Sequence, residues 1–336
     1  MNLPEPLQQI MRMVSGYWTS QVLYVAAKLG LADLLKEGPK TAEDLASATQ
    51  THPRALYRLL SSSASLGLFA QDEQKRFSLT PFSDLLRSDV PGSQRATAVI
   101  VGDLLYGAWG ELLYTLQTAR PAFVMVHGLP VFEYLSQNPE QASEFDEAMA
   151  VHGWATTAIL EAYDFSGIRV LADIGGGNGS ALVAILKKYP DMRGILFDLP
   201  GVAERAKQNI QAAGVADRCQ VIGGSFMEAV PTGADAYIMR HVIHDWDDEK
   251  SAKILKNIYR SMGKDGKLLI GEYVMPSDNT PSMATGSDLV MLVISGGQER
   301  TEEEFRTLYE RAGFRLTRIV PTKVGICVIE GTKEII

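Results

Sequence analysis

The stretch Asp173-Ile174-Gly175-Gly176-Gly177-Asn178-Gly179-Ser180 decides the fold of this chain. It follows the apolar run Val170–Ile174 and precedes the helical pattern Ser180–Tyr189, so it predicts a glycine-rich turn between a strand and a helix. Glycines at such a turn let a ligand approach the backbone amides closely. Ser180 stands where the dinucleotide fingerprint has its third glycine, and the Gly-Lys-Ser/Thr of a P-loop is absent from the sequence of the turn.

Asp198 ends the next apolar run, Gly194–Asp198, roughly 20 residues after the glycine turn. A carboxylate at that strand end can accept hydrogen bonds from the two hydroxyls of a ribose. The turn and Asp198 together predict a nucleoside cofactor. The missing third glycine favours S-adenosylmethionine over NAD, and an NAD-dependent dehydrogenase stays as an alternative.

Strand and helix patterns alternate from Arg169 onward. The strand patterns are Val170–Ile174, Gly194–Asp198, Gln220–Ile222, Ala234–Arg240, Lys267–Tyr273, Phe314–Val320 and Gly325–Glu330. Helical patterns between most of them predict a parallel sheet covered on both faces. Because only the short turn Pro321–Lys323 separates the last two, these form an antiparallel hairpin at the sheet edge. The fold class is therefore α/β, with a Rossmann-like seven-stranded sheet.

The first half of the chain, up to about Tyr163, is mostly helical. Thr41 and Asp44 fit a capping box before one helix, and Pro53 fits the first turn of a second helix that Gly67 ends. A short β-hairpin follows, and the whole outline is that of a winged helix. The helical apolar residues predict surface for a homodimer, because a small winged helix would not bury all of them. They are Leu23, Ala26, Ala27, Leu31, Leu34 and Leu35.

Composition excludes several classes of protein. The chain has 336 residues, of which 46% are hydrophobic and 21% charged, which excludes a disordered or fibrous chain. A net charge of −8 argues against a general polyanion binder. Cys219 and Cys327 are too few for a disulfide framework, and His241 and His244 lack a third ligand at metal-site spacing, so no metal is expected. Without a signal-peptide or membrane-span pattern, we expect a cytoplasmic protein with no membrane partner.

A polar segment follows the fourth strand pattern of the second half. It reads His241-Val242-Ile243-His244-Asp245-Trp246-Asp247-Asp248-Glu249. Ligands of open α/β sheets bind beyond the carboxyl ends of the strands, which places this segment beside the glycine turn. Asp247 fits the N-cap of the next helix, and Asp248 suits the helix's positive end, so both are interpreted as structural. His244 is best explained as a proton acceptor, mostly neutral at pH 7 with an ordinary pKa near 6.5.

Two glutamates stand at further strand-end positions. Glu272 ends an apolar strand pattern, where a carboxylate is costly unless it has a partner or faces a cleft. Glu299 precedes the capping box of Thr301 and Glu304, which leaves it unexplained. Both glutamates and His244 are candidates for one small site.

Taken together, the motifs resemble a known family, because they occur in the order found in S-adenosylmethionine-dependent O-methyltransferases. They are Asp173–Ser180, Phe197-Asp198-Leu199-Pro200, Gly223-Gly224-Ser225-Phe226, His244-Asp245-Trp246, Leu269–Glu272 and Gly296–Thr301. Nearly the whole chain is similar to the caffeic-acid/acetylserotonin type, in its bacterial small-molecule branch, which serves secondary metabolism. The resemblance implies a winged-helix-like dimerisation domain at residues 1–110, a helical linker at 111–163 that contributes to the acceptor pocket, and a catalytic domain at 164–336.

The resemblance also implies roles for individual residues. The cofactor-binding residues would be Asp173, Gly175, Gly177, Asp198, Leu199, Ser225, Phe226, Arg240 and Trp246. Gly175 would contact the methionine part and Asp198 the ribose, while Phe226 and Trp246 would flank the adenine. His244 would deprotonate the acceptor hydroxyl, with Glu272 and Glu299 orienting it. Ser225 departs from the family, since many relatives carry an aspartate there that accepts from the adenine amino group.

The acceptor implied by the resemblance is a small aromatic compound that carries a hydroxyl group. Its pocket is expected between the two halves of the chain. The substrate-binding residues would be Met149, His152, Met291 and Ile294. Their types, methionine above all, suit a flat apolar ring.

Two alternatives remain beside this interpretation. A winged-helix DNA-binding regulator would need a positive recognition face, but acidic and basic residues balance over residues 41–87, so no nucleic-acid partner is expected. A non-methylating relative that keeps the cofactor pocket is the second alternative.

Overall fold

A computed structural model describes residues 4–150, 153–278 and 280–334. The chain forms two compact units. Unit 1 comprises Met1–Gly107 and Asn138–Val151, and unit 2 comprises Ala108–Gln137 and His152–Ile336. The predicted division at residues 110 and 163, with the roles attached to each part, stays a prediction.

The helices and strands follow in chain order. The α-helices are α1 (Glu5–Lys28), α2 (Leu31–Leu35), α3 (Ala42–Thr49), α4 (Pro53–Ser65), α5 (Pro81–Asp84), α6 (Arg95–Ile100), α7 (Tyr106–Gly110), α8 (Leu112–Thr118), α9 (Ala122–His127), α10 (Val131–Gln137), α11 (Pro139–Ala150), α12 (Gly153–Ala162), α13 (Ser180–Lys188), α14 (Pro200–Ala212), α15 (Asp248–Ser261), α16 (Met283–Ile294) and α17 (Glu302–Arg311). The strands are β1 (Phe69–Gln71), β2 (Phe77–Leu79), β3 (Val170–Ile174), β4 (Arg193–Asp198), β5 (Cys219–Gly223), β6 (Ala236–Arg240), β7 (Lys267–Met275), β8 (Arg300–Thr301), β9 (Phe314–Pro321) and β10 (Ile326–Lys333).

Unit 1 contains the elements predicted for residues 41–80. Thr41 and Asp44 form the capping box of α3, since each side chain accepts a hydrogen bond from the other residue's backbone N–H. Pro53 is the first residue of α4. Strands β1 and β2 pair in antiparallel fashion, which confirms the short hairpin. Phe69 and Phe77, one from each strand, are buried in the core of the unit.

Most of the apolar residues that were expected to supply surface for a homodimer are buried within unit 1. Ala26, Ala27, Leu31 and Leu35 are at most 2% exposed, because they close the core of the unit itself. The largest group of exposed apolar side chains close together in the sequence of unit 1 lies earlier, on the first part of α1. They are Leu7, Ile10, Met11, Met13, Val14, Tyr17 and Trp18.

Unit 2 is built on a sheet of strand order β5-β4-β3-β6-β7-β10-β9. Strands β3 to β7 are parallel, whereas β10 runs antiparallel to both β7 and β9. This confirms the seven-stranded α/β sheet with a terminal antiparallel hairpin. After β3 the next strands, β4 and β5, are added toward one edge of the sheet, whereas after β6 the strand β7 is added toward the opposite edge. The crevice between the carboxyl ends of these two strands is where ligands of such sheets bind.

Two elements of unit 2 were absent from the prediction. Helix α16 packs on α8, α9 and β7, and β8 pairs with β7 in parallel. The stretch before α16 is rich in Pro, Ser, Asn and Thr, which is typical of a loop. Two-residue strands such as β8 carry no periodicity that a sequence could reveal.

Within the described residues, no single helix is both long and apolar enough to cross a membrane. One pair bent by 52°, Arg95–Gly110 with Leu112–Thr118, reaches the required length and composition only when its two parts are taken together.

Candidate active site

The glycine turn lies at the crevice between β3 and β6. Gly175, Gly177 and Gly179 have φ angles of 73°, 58° and 79°, which residues with a Cβ atom rarely adopt. A Cβ atom on Gly175 would lie 2.8 Å from Val242 Cγ2. The turn therefore packs directly against the segment that leads from β6 to His244.

Asp198 lies beside the same turn, at the end of β4. Its Oδ2 accepts a hydrogen bond of 2.8 Å from the Gly177 N–H, and its Oδ1 accepts one of 2.7 Å from the Leu199 N–H. A carboxylate at this strand end is of the type that accepts hydrogen bonds from ribose hydroxyls. The side chain of Leu199 is 39% exposed at the start of α14.

Asp173 is the second-last residue of β3 and Arg240 is the last residue of β6, and both carry unpaired polar atoms. Both carboxylate oxygens of Asp173 are buried without a hydrogen-bond partner among the described residues, and so is Arg240 Nε. Arg240 Nη1 donates to Thr156 Oγ1 at 3.0 Å. Burial raises the pKa of Asp173 to about 6, although the positive charge of Arg240 opposes this. Buried polar groups without partners are costly, and a ligand bound at the crevice would relieve that cost.

An aromatic cluster borders the crevice. Trp246 makes an edge contact with Phe226, with ring centroids 6.0 Å apart, and stacks on Phe132 at 5.8 Å. Phe226 also approaches the glycine turn, since a Cβ atom on Gly175 would lie 3.6 Å from Phe226 Cε1. Ser225 Oγ accepts a hydrogen bond of 3.3 Å from the Met227 N–H.

His244 lies in a short 3-10 turn after β6 and is 6% exposed. Its Nδ1 lies 2.7 Å from Glu299 Oε1, so the carboxylate accepts from Nδ1–H. This pairing leaves Nε2 as the ring nitrogen available to a substrate.

Glu272 holds the backbone around His244. Its Oε1 accepts from the N–H groups of Val242, Ile243 and His244, at 3.1, 2.6 and 3.2 Å. Ligand-capable atoms of His244, Glu272 and Glu299 all lie within 4.8 Å of one another. The three residues that the sequence proposed as one site therefore converge.

The charge of His244 differs from the expectation. Burial by itself lowers the pKa of His244, but the hydrogen bond to Glu299 and three nearby carboxylates raise it to about 10. The expectation that this ring is mostly neutral at pH 7 is wrong for the protein without ligands, because the carboxylates stabilise the imidazolium.

Four residues of the site were missed from the sequence. Ser287 Oγ donates to Glu299 Oε1 at 2.6 Å, and Asp288 Oδ1 accepts from the Glu299 N–H at 2.9 Å, both from α16. Thr156 contacts Arg240, as described above. Burial raises the pKa of Asp245 to about 7, against the opposing charge of His244. The His-Asp-Trp motif could have pointed to Asp245, whereas the residues on α16 and α12 follow from the fold alone.

The predicted acceptor residues are distributed over both units. Met291 is half-buried on α16, and Ile294 is buried on the same helix. Met149 is 41% exposed on α11 and belongs to unit 1. His152 lies outside the described residues. Met291 and Ile294 share their helix with Ser287 and Asp288, which hold Glu299.

Comparison with known proteins identifies the family. The family described as O-methyltransferase domain matches residues 109–315, and the O-methyltransferase dimerisation domain matches residues 11–89. The phenazine O-methyltransferase PhzM of Lysobacter antibioticus is 44% identical over 327 residues, which cover 97% of this chain and 96% of that protein.

Two solved structures support the same assignment. Human N-acetylserotonin methyltransferase in complex with S-adenosylmethionine superimposes with a TM-score of 0.92 at 27% identity, covering 99% of each chain. The O-methyltransferase NcsB1 from neocarzinostatin biosynthesis, in complex with S-adenosylmethionine and 2-hydroxy-5-methyl naphthoic acid, gives a TM-score of 0.85 at 33% identity and covers 94% of this chain and 96% of that one. The chain therefore belongs to the S-adenosylmethionine-dependent O-methyltransferases of the caffeic-acid/acetylserotonin type and carries the family's dimerisation domain.

Proposed function

We propose that this enzyme transfers the methyl group of S-adenosylmethionine to a hydroxyl of a small aromatic acceptor, with His244 as the general base. The observation that carries the proposal is the pairing of His244 with Glu299 on a segment that packs against the glycine turn. A base held by a carboxylate beside a cofactor site fits hydroxyl deprotonation during methyl transfer.

The residues at the crevice fit S-adenosylmethionine. The unpaired carboxylate of Asp173 and the unpaired Nε of Arg240 suit the ammonium and carboxylate of its methionine part. Asp198 suits the ribose hydroxyls, and Phe226 with Trp246 suits the adenine ring. Gly177 and Leu199 hold Asp198 in place through their N–H groups. The bound cofactor supplies a methyl group already activated as a sulfonium, so the protein has to align the acceptor and remove one proton.

His244 Nε2 takes the proton from the acceptor hydroxyl. Glu299 fixes the opposite ring nitrogen, and Glu272 fixes the backbone from which the ring projects. A phenol has a pKa near 10, close to the pKa of His244 in its carboxylate surroundings. The raised pKa makes the ring, once neutral, a stronger proton acceptor, because the carboxylates stabilise the imidazolium that forms when Nε2 takes the acceptor's proton.

The acceptor class follows from the residues of α16 and from the relatives. Met291 and Ile294 offer apolar surface, and NcsB1 is described in complex with a hydroxylated naphthoic acid. Close alignment of acceptor oxygen and methyl donor in a site that excludes water supplies the remaining rate enhancement. A DNA-binding regulator is not favoured, because the O-methyltransferase families match both ends of the chain.

The enzyme is further proposed to act as a homodimer through its amino-terminal domain. The exposed apolar residues of α1 support this, since monomers rarely expose so many neighbouring apolar side chains.

A methyl-transfer screen tests the function. Purified protein is incubated with S-adenosylmethionine carrying a labelled methyl group and with phenols, flavonoids, quinones, hydroxynaphthoates and phenazines. We expect label on the oxygen of at least one hydroxylated aromatic compound, and none on the matching compound whose hydroxyl is replaced by hydrogen. Transfer to amines alone would overturn the proposed hydroxyl acceptor.

A further inference from the structure

Residues 297–300, which we call the strap, form a second layer of contacts around His244. The strap lies directly on the 3-10 turn that carries His244. A Cβ atom on Gly297 would lie 1.9 Å from the His244 carbonyl oxygen, so only glycine fits at this position. The Gln298 N–H donates to the same carbonyl oxygen at 2.8 Å. Glu299 then reaches the ring of His244, as described above.

Arg300 completes the strap and is fully buried. Its Nη1 donates to the Ile243 carbonyl at 3.3 Å, and its Nη2 donates to the Trp246 carbonyl at 2.9 Å. These two carbonyls lie on either side of His244 in the sequence. The guanidinium fork therefore spans the turn that carries the base.

The charge of Arg300 is balanced at the start of α15. Nε and Nη2 both contact Asp248 Oδ1, at 3.0 and 2.8 Å, and Nη2 also donates to Ser251 Oγ. Ser251 Oγ lies 3.3 Å from the Ile243 carbonyl oxygen and 3.2 Å from the Trp246 carbonyl oxygen, so its one hydroxyl hydrogen can be donated to either. Asp248 was interpreted from the sequence as complementing the helix end alone, and its second function is to hold this arginine.

We propose that Arg300 is a positioning residue for catalysis: it fixes the backbone on both sides of His244, so that the ring keeps its pairing with Glu299 and presents Nε2 to the acceptor. This inference rests on the proposed role of His244 as the base. On this turn Arg300 contacts backbone only, the carbonyls of Ile243 and Trp246, and it acts on catalysis through His244. A planar fork with five donors suits this task, whereas a lysine ammonium is a single point that cannot span both carbonyls.

Arg300→Lys tests the inference with the full-length enzyme. We expect kcat to fall by about 10- to 100-fold, since small displacements of a catalytic group cost rates of this order. The dissociation constant for S-adenosylhomocysteine, measured by calorimetry, should stay within about threefold, because Asp173, Asp198 and Phe226 lie on other segments and Arg300 meets Trp246 only at its backbone carbonyl. The calorimetric stoichiometry also reports the folded fraction, so the rate is expressed per folded enzyme.

Arg218→Lys is the matched control. Arg218 donates to the carbonyls of Leu186, Tyr189 and Met192, just before β5 at the opposite edge of the sheet. It is thus an arginine that also clamps backbone carbonyls, but far from the carboxyl ends of the strands. Arg218→Lys should lower the melting temperature as Arg300→Lys does and should leave kcat unchanged.

The double variant His244→Ala/Arg300→Lys decides whether Arg300 acts through the base. On the His244→Ala background, we expect Arg300→Lys to change kcat by less than about twofold. An equal loss in both backgrounds would overturn the inference, as would an unchanged kcat in Arg300→Lys. An unchanged kcat in His244→Ala alone would instead overturn the proposed base, and with it the reason to expect any coupling.

Discussion

His244 Nδ1 and Glu299 Oε1 lie 2.7 Å apart, although 55 residues separate them in the sequence. The contact forms because Glu299 comes directly before β8, which pairs with β7, and β7 lies next to β6 in the sheet. It fixes one ring nitrogen of the histidine and stabilises the imidazolium. The charge of Glu299 is therefore expected to control where the rate responds to pH.

Replacing Glu299 tests this relationship. The folded protein raises the pKa of His244 above its ordinary value, with the bond to Glu299 as the main cause of the increase. Glu299→Gln removes the negative charge, so the pKa of His244 falls and the rising limb of the rate moves to lower pH. The profile of kcat/KM between pH 6 and pH 10 checks this. Glu304→Gln is the control, because it makes an equal change of charge in the capping box of α17 and should not shift the pH at which kcat/KM rises. If Glu299→Gln does not shift that pH either, the assignment of His244 as the titrating group is contradicted.

Asp198 is expected to govern cofactor affinity. Asp198→Ala should weaken S-adenosylhomocysteine binding by about 1.5–3 kcal/mol, since a charge-assisted acceptor for the ribose is lost. Asp235→Ala is the control, because Asp235 also accepts two backbone N–H bonds, from Arg169 and Val170, at the opposite ends of the strands. Calorimetry should give an unchanged affinity for the control; equal losses in both variants would mean that Asp198 only supports the fold.

A substitution at Ser225 is expected to raise the affinity for the cofactor. Ser225→Asp should tighten S-adenosylhomocysteine binding about tenfold, because a carboxylate is a stronger and longer acceptor for the adenine amino group than a hydroxyl. Ser225→Ala should bind at least as weakly as the wild type. If Ser225→Asp and Ser225→Ala have the same affinity, position 225 does not contact the adenine.

Helix α1 is expected to hold the dimer together. Val14→Glu with Trp18→Glu places two charges among exposed apolar side chains, so light scattering at micromolar protein should show a monomer where the wild type gives a dimer. Leu113→Glu with Leu116→Glu, a matched pair of equally exposed residues on α8, should remain dimeric. A monomeric wild type would reject the dimer itself.

The sequence predicted much of the fold because its signals are local. The alternation of strands and helices, the capping boxes of Thr41 and Thr301, and the N-cap of Asp247 all depend on residues a few positions apart. The terminal hairpin followed from a turn too short for a parallel crossover. Such patterns are fixed by the chain itself and need no tertiary information.

The parts that were missed depend on tertiary contacts. Helix α16 begins in a polar stretch without a clear period, and its place in the fold comes from packing on α8 and α9. The pKa of His244 was misjudged because, besides the neighbouring Asp245, Glu272 on β7 and Glu299 just before β8 approach the ring only in the folded protein. Leu31 and Leu35 were misassigned to an interface because periodicity identifies an apolar face without naming what covers it.

The central claim is that His244 is the base, and two acceptors measured with His244→Ala test it most directly. One acceptor carries a hydroxyl of high pKa, protonated at the assay pH, and the other carries an acidic hydroxyl that is already ionised. We expect kcat to fall by about 10²–10⁴ on the first acceptor and much less on the second, with S-adenosylhomocysteine affinity nearly unchanged. An equal, small loss on both acceptors would contradict the account, because His244 would then be structural and another group would have to take the proton.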